Sequence, residues 1–515
     1  MKTFCALALG ALLALSGCAS RETVTPEFSV EYNAFAEQLS PDGGTLPPVL
    51  VHWKACQIKV SSSASFLTPS VVNIGSKTGE GTVELRFTLA ANDAYAAREA
   101  KLLFESAGLS SREILLTQEG LGEENAQVSV DPDRVFQSWD GFGAMNLGTD
   151  WRQNDDWTEA DRRALLGDMG LAIMRIRIPY DESRWEALAA DCSAIYRKYG
   201  TKILATPWSM PAKMKSPEQI PARKDGVTTS LKPECYEEYA RYLERFAAFM
   251  KAHGAPLAAI SVQNEPDYAP EYDGCLWSAA EHLRFVRDYG RLIQSAPLAT
   301  AESFSARQAF YNPVLEDDAA CANLAIVAGH LYGTQPQPYP LAAEKGKRLW
   351  MTEHLLNESW TEGTDHWSET LEMLQEIHDC LEYGWNAYIW WYGCRYYSLV
   401  GDGDEGTERG QILPRGYAYA QYSAYIRPGD VRVSSSVEGP EDLLCTAFKG
   451  TGGQLKIVLV NRGRSLKHIT MNTGGTASAT YTSRSANVAR LEVSAEEGEV
   501  TFALPGESIG TVLIQ

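Results

Sequence analysis

The 515-residue chain lacks a C-x-x-C pair, a glycine-rich phosphate loop and any excess of positive charge. Each absence removes a class of function. Of ten cysteines, Cys5 and Cys18 fall in the N-terminal segment, and Cys56, Cys192, Cys235, Cys275, Cys321, Cys380, Cys394 and Cys445 are scattered. That spacing argues against a zinc site or a dense disulfide framework, leaving one or two bridges open. A net charge of -20 disfavours nucleic acid, whose phosphates reward a basic surface. No dinucleotide fingerprint opens a helical stretch. Beyond the first residues, no run is apolar enough to cross a bilayer.

What is present begins with an export pattern. Met1-Lys2-Thr3 is basic, Phe4 to Leu15 is apolar but short, and Leu15-Ser16-Gly17-Cys18 supplies small residues for cleavage. This resembles a bacterial lipoprotein signal, which implies removal of residues 1–17 and acylation of Cys18. The expected location is then lipid-anchored, at the outer membrane, the cell surface or in the periplasm. Pro26, Pro41, Gly43, Gly44, Pro47 and Pro48 mark residues 18–48 as a linker. Residues 49–121 alternate as short strands, clearest in Gly81–Leu89 and Arg112–Gln118. Ala91-Asn92-Asp93 and Leu116-Thr117-Gln118-Glu119-Gly120 resemble BACON-type immunoglobulin-like modules. A spacer is the favoured role, because no exposed aromatic cluster marks a sugar platform.

After the polar joint Gly122-Glu123-Glu124-Asn125, apolar strand-like runs alternate with amphipathic helices. Leu171–Ile178, Thr201–Thr206, Leu257–Val262, Leu324–His330, Arg348–Met351 and Ala387–Trp391 are the strands; Glu237–Phe246 and Ser368–Gln375 are helical. Strands apolar on both faces suit an eight-stranded parallel barrel, with a doubly wound sheet as the alternative. From Arg427 onward only short strands recur.

Two of the apolar runs lead into a glutamate. Ser261-Val262-Gln263-Asn264-Glu265-Pro266 and Leu349-Trp350-Met351-Thr352-Glu353-His354 place Glu265 and Glu353 where strand gives way to loop. Cleaving a glycosidic bond needs two carboxyl groups, one to protonate the leaving oxygen and one to attack or to activate water. With Gly141-Phe142-Gly143 as the first barrel strand and Thr300-Ala301-Glu302 near the fifth, Glu265 closes the fourth and Glu353 the seventh. Carboxylates distant in sequence would meet over one cavity.

Further motifs carry a family resemblance: Trp139-Asp140-Gly141-Phe142-Gly143, Thr206-Pro207-Trp208-Ser209-Met210-Pro211, Gln263-Asn264-Glu265-Pro266, His330-Leu331-Tyr332-Gly333, Trp350-Met351-Thr352-Glu353, Trp390-Trp391-Tyr392 and Tyr425-Ile426-Arg427-Pro428-Gly429. Together they resemble glycoside hydrolase family 30. The resemblance implies an α/β fold, a (β/α)8 TIM barrel with a side β-sandwich. Its boundaries would be an N-terminal strand at 126–138, the barrel at 139–426 and the sandwich at 427–515. It also implies retention of configuration, with Glu265 as acid/base beside Asn264 and Glu353 as nucleophile. Trp151, Trp208, His330, Tyr332 and Trp391 would bind the sugar. Neither a metal nor an organic cofactor is required, and a monomer is expected.

The segment after the eighth strand resembles the glucuronoxylanase group, subfamily 8. Arg395 and Tyr397 stand where that group grips a glucuronate carboxylate, although Cys394 and Tyr396 replace a second arginine and a serine. The carboxylates of the acidic loop Gly401-Asp402-Gly403-Asp404-Glu405-Gly406 would either neutralise Arg395 or repel an anionic branch. The expected substrate is xylan, including glucuronoxylan, cut internally. A β-1,6-glucanase, a β-fucosidase or β-xylosidase, and a non-catalytic glycan-binding protein are the alternatives. Asn357-Glu358-Ser359 matches a glycosylation acceptor, without weight behind a bacterial signal.

Overall fold

The computed structural model describes residues 24–32, 39–146, 156–356, 366–496 and 498–515. Cys18, Trp151 and the Asn357 triplet lie outside the described residues. The chain divides into two compact units, Met1–Gly122 and Glu123–Gln515.

Among its described residues the first unit is all β, with sheets of three, four and three strands around Val49, Val51, Leu85, Leu102 and Phe104. It corrects the expected linker at 18–48. Glu27–Glu31 pairs antiparallel with Val49–Lys54, and Gly44–Thr45 pairs with Phe87–Leu89. Phe28 and Val30 alternate with exposed Glu27, Ser29 and Glu31 and turn toward the same core. The glycines and prolines there punctuate strands; Gly43 sits at φ +73°, a conformation that favours glycine.

In the second unit a closed barrel runs through eight strands. They are β1 (Gly141–Asn146), β2 (Ile173–Arg177), β3 (Lys202–Thr206), β4 (Ala259–Ser261), β5 (Leu298–Ala299), β6 (Ile326–His330), β7 (Arg348–Glu353) and β8 (Ala387–Trp390). All neighbours are parallel, and β1 closes the ring on β8. β1, β2 and β8 are buried along their whole length, as strands walled by helices outside and packed side chains inside must be. At Gly143 even a Cβ would lie 2.6 Å from the Ile173 carbonyl oxygen, so only glycine fits. Helix Tyr236–Ala252 buries Tyr239, Tyr242, Leu243, Phe246 and Met250 on one face, the 3.6-residue period that marked it in the sequence. Among the described residues no helix is long and apolar enough to cross a membrane. The eight described cysteines are free thiols, so neither bridge left open by the sequence forms among them.

The side domain is a ten-stranded sheet. Its strand Glu123–Ser138 begins before the expected 126, leaving Gly122, at φ +82°, as the joint. That strand pairs antiparallel with Val431–Glu438 and parallel with Leu466–Met471. Val128, Val433, Leu459, Ile469 and Val512 form its core. The last barrel helix, Pro414–Ser423, locks onto this sheet: Gln421 Nε2 donates to Thr482 Oγ1 at 3.0 Å, and Thr511 Oγ1 donates to the Gln421 carbonyl at 2.6 Å.

Candidate active site

Catalytic groups in parallel barrels collect where the strands end, and here the carboxylates do so by two routes. Glu353 is the last residue of β7, so its side chain is aimed by strand geometry. Glu265 lies past β4 and is aimed by the backbone instead. Its N–H donates to the Glu302 carbonyl at 2.9 Å, the Glu302 N–H donates to the Gln263 carbonyl at 2.8 Å, and the Asn264 N–H donates to the Pro207 carbonyl at 2.9 Å. Held this way, Glu265 adopts φ +45°, a left-handed conformation costing about 1–3 kcal/mol for a non-glycine residue. Such strain persists where surrounding structure over-determines it, and three backbone bonds do so here.

An oxygen of Glu265, an oxygen of Glu353 and a nitrogen of His330 lie within 4.8 Å of one another. That is near the roughly 5–5.5 Å of a retaining pair and well below the roughly 6.5–9.5 Å that an inverting water requires. The two carboxyl groups have different company. Glu353 Oε2 accepts from Arg175 Nη1 at 2.5 Å, and Oε1 accepts from the Tyr332 hydroxyl at 2.9 Å. Glu265 Oε2 accepts from the Tyr272 hydroxyl at 2.9 Å, and Oε1 meets His330 Nδ1 at 3.2 Å. Burial raises Glu265 above the ordinary carboxyl range and the Glu353 charge pushes the same way, against the bonds from His330 and Tyr272. Desolvation outweighs the neighbouring charge in raising it.

Arg175 was missed by sequence reasoning. It is fully buried on β2, donates through Nη2 to Asn264 Oδ1 at 2.7 Å, and lies 4.7 Å from the Trp208 ring centre. Because arginine only donates, the Asn264 oxygen must face it, which leaves the amide NH2 to serve as a donor elsewhere. The signal was present in Met174-Arg175-Ile176-Arg177, where two arginines at period two interrupt an apolar strand. Arg177, also buried, pairs with Asp273 and so tethers the loop that carries Tyr272. Below the carboxyl pair, Glu302 contacts Arg175 at 2.9 Å, His330 Nε2 at 3.3 Å and the Thr206 hydroxyl at 2.7 Å. Burial works against the charge on Glu302, but Arg175 and His330 outweigh it and hold the carboxyl at about 2. Burial likewise opposes the imidazolium of His330, but Glu353, Glu265 and Glu302 raise it to about 9. By spacing alone Glu265, His330 and Glu353 would suit a cation; Arg175 on Glu353 and Glu302 on the far face of His330 make the set a network of protons and charges instead.

Aromatic residues flank the two carboxyl groups. Trp208 and Trp391 lie with ring centres 6.1 Å apart, and Tyr332 stacks on Phe304 at 5.0 Å. Trp208, Asn264, His330, Tyr332 and Trp391 are thus gathered around the two glutamates. Arg395 and Tyr397 are differently placed. The Arg395 guanidinium is 3.3 Å from Asp402, with both side chains 8% exposed, and is surrounded by the rings of Tyr392, Tyr396 and Tyr397. Tyr397 is buried, and its carbonyl accepts from Arg415 at 2.7 Å.

A parallel barrel whose strand ends bring two carboxyls together among aromatic rings defines the glycoside hydrolase class. Residues 429–512 match the family model "Glycosyl hydrolase family 30 beta sandwich domain". Glucuronoxylanase XynC of Bacillus subtilis (strain 168) is 34% identical over 406 residues, 76% of this chain and 92% of that protein. The family 30 subfamily 8 xylanase Xyn30A of Clostridium acetobutylicum superposes with a TM-score of 0.67 at 31% identity, covering 76% of this chain and all of that one. A family 30 endoxylanase of Clostridium papyrosolvens C71 does so with a TM-score of 0.67 at 29% identity and the same coverage. The chain belongs to glycoside hydrolase family 30.

Proposed function

We propose that this glycoside hydrolase is an endo-acting β-1,4-xylanase working by double displacement. The observation that carries the mechanism is the Glu265–Glu353 pair, within 4.8 Å yet in opposite environments. Glu265, its proton favoured by burial, protonates the glycosidic oxygen as Glu353 attacks the anomeric carbon, so the glycosidic C–O bond breaks and a glycosyl ester forms. A water then gives its proton to Glu265, its oxygen attacks the anomeric carbon, and the ester bond to Glu353 breaks. The Asn264 amide serves the sugar 2-hydroxyl, while Trp208, Tyr332 and Trp391 face the ring. The substrate class is supported by the xylanases at 29–34% identity. Reducing-sugar release and product analysis on glucuronoxylan, unbranched xylan, arabinoxylan and β-1,6-glucan test it. Xylo-oligosaccharides of mixed length are expected; cleavage of β-1,6-glucan alone would overturn the assignment.

One observation favours a branch-independent version. Arg395 already has Asp402 at 3.3 Å, so a glucuronate carboxylate would share or compete for the guanidinium with a carboxylate of the protein's own chain. Cleavage of unbranched xylan is then expected, whereas products cut only at a fixed distance from each branch would show that Arg395 meets the branch. The reading extends to location: Cys18 acylated after removal of residues 1–17 holds a monomeric enzyme at a membrane surface, with the N-terminal β unit, BACON-like in sequence, as a spacer. Metabolic labelling with a clickable fatty acid tests the anchor, and the label is lost in Cys18→Ala.

A further inference from the structure

Glu302 belongs to neither half of the double displacement, yet it joins both. Its backbone carbonyl accepts from the Glu265 N–H, and its side chain meets Arg175 and His330 at 2.9 and 3.3 Å. Those two residues hold the reacting carboxyls, Arg175 on Glu353 at 2.5 Å and His330 on Glu265 at 3.2 Å. All three of Glu302, Arg175 and His330 are fully buried, so bulk water stabilises none of their charges. We propose that Glu302 is a positioning residue, the buried counter-ion that keeps His330 as an imidazolium and Arg175 on Glu353, and thereby sets the charge state of the reacting pair.

The groups facing His330 make the case. Glu265 lies at Nδ1, Glu302 at Nε2, Glu353 at 3.8 Å from Nε2 and Arg175 at 3.4 Å. Tyr272 and Tyr332 donate into the carboxylates beyond. Two carboxyl groups, Glu302 at 3.3 Å and Glu353 at 3.8 Å, converge on Nε2, and negative charge that close favours a charged ring over a neutral one. With Glu302 present, two cations face two anions while Glu265 keeps its proton. Without it, Arg175 and His330 share Glu353 as their anion, and the His330 proton becomes easier to lose.

The proposal rests on the roles given to Glu265 and Glu353, but its first test does not. Nitrogen-15 NMR of the wild type, with His330 assigned by its loss in His330→Gln, is expected to show both ring nitrogens protonated at pH 7; a neutral ring overturns the proposal even in a preparation that cleaves no glycan. In Glu302→Gln the His330 midpoint is expected to fall by about one unit or more. On an activated aryl xyloside kcat should drop about 100-fold with KM within about threefold, and the pH profile of kcat/KM should move. Glu302→Asp, which keeps the charge, should restore the imidazolium and most of kcat. An unchanged midpoint and pH profile in Glu302→Gln, whatever its activity, overturns the proposal. If that variant does not fold, the wild-type ring and Glu302→Asp decide.

Discussion

The ends of β4 and β7 carry the same amino acid and prepare it oppositely. At β7 the glutamate is still in the strand, and a guanidinium lies on its carboxylate. At β4 it has left the strand, sits in a left-handed turn and meets a phenol and an imidazole. At Glu265 burial favours the protonated form, and the nearby Glu353 charge adds to it, against the bonds accepted from His330 and Tyr272. The comparison teaches that role follows from what each barrel strand brings to the mouth: β2 supplies Arg175 to one carboxyl, and the loop tethered by Arg177 supplies Tyr272 to the other.

Removing one side of the comparison has the largest effect. Glu353→Gln should lower kcat by roughly 10⁴-fold or more, measured on glucuronoxylan. Glu265→Ala should be less severe on aryl glycosides with good leaving groups and should regain turnover with added azide; equal losses in the two variants on such substrates would erase the distinction. Next comes the cation that separates the two environments. Arg175→Met should cost about 10²–10³ in kcat. It should also destabilise the fold by about 3–5 kcal/mol in urea titrations, because buried Glu302 and Glu353 lose their partner. A smaller change sharpens the β4 side. The Tyr272 bond favours ionised Glu265, so Tyr272→Phe should raise the Glu265 pKa further. The basic limb of kcat/KM, where the acid loses its proton, would then move up by at most about one unit. The smallest effect lies away from both glutamates. Asp402→Asn should release Arg395 and raise activity on glucuronoxylan relative to unbranched xylan several-fold, on the order of 1 kcal/mol; an unchanged ratio would mean that Arg395 never meets a branch.

Much of the site was legible because its motifs are local. Asn264 precedes Glu265, and the run Trp350-Met351-Thr352-Glu353 ends a strand, so a reader of strand ends finds both. The barrel was legible too, from apolar runs alternating with amphipathic helices. What escaped depends on residues that meet only after closure. Arg175 and Glu353 are 178 positions apart, and Glu302 served in the sequence only to mark a strand. The linker was misplaced for a different reason. Two apolar residues, Phe28 and Val30, are too short a period-two signal to outweigh the prolines and glycines that follow.

The strand Glu123–Ser138 precedes the whole barrel in the chain, yet its partners, Val431–Glu438 and Leu466–Met471, follow it. The barrel is therefore spliced into the side sheet as an insertion between strands that must find each other across about three hundred residues of sequence. A chain emerging from the ribosome or through a translocation pore cannot close that sheet until nearly its last segment is free. Through that delay Glu123–Ser138 waits with open edges, and a premature stop that spared every barrel residue would still leave it unpaired.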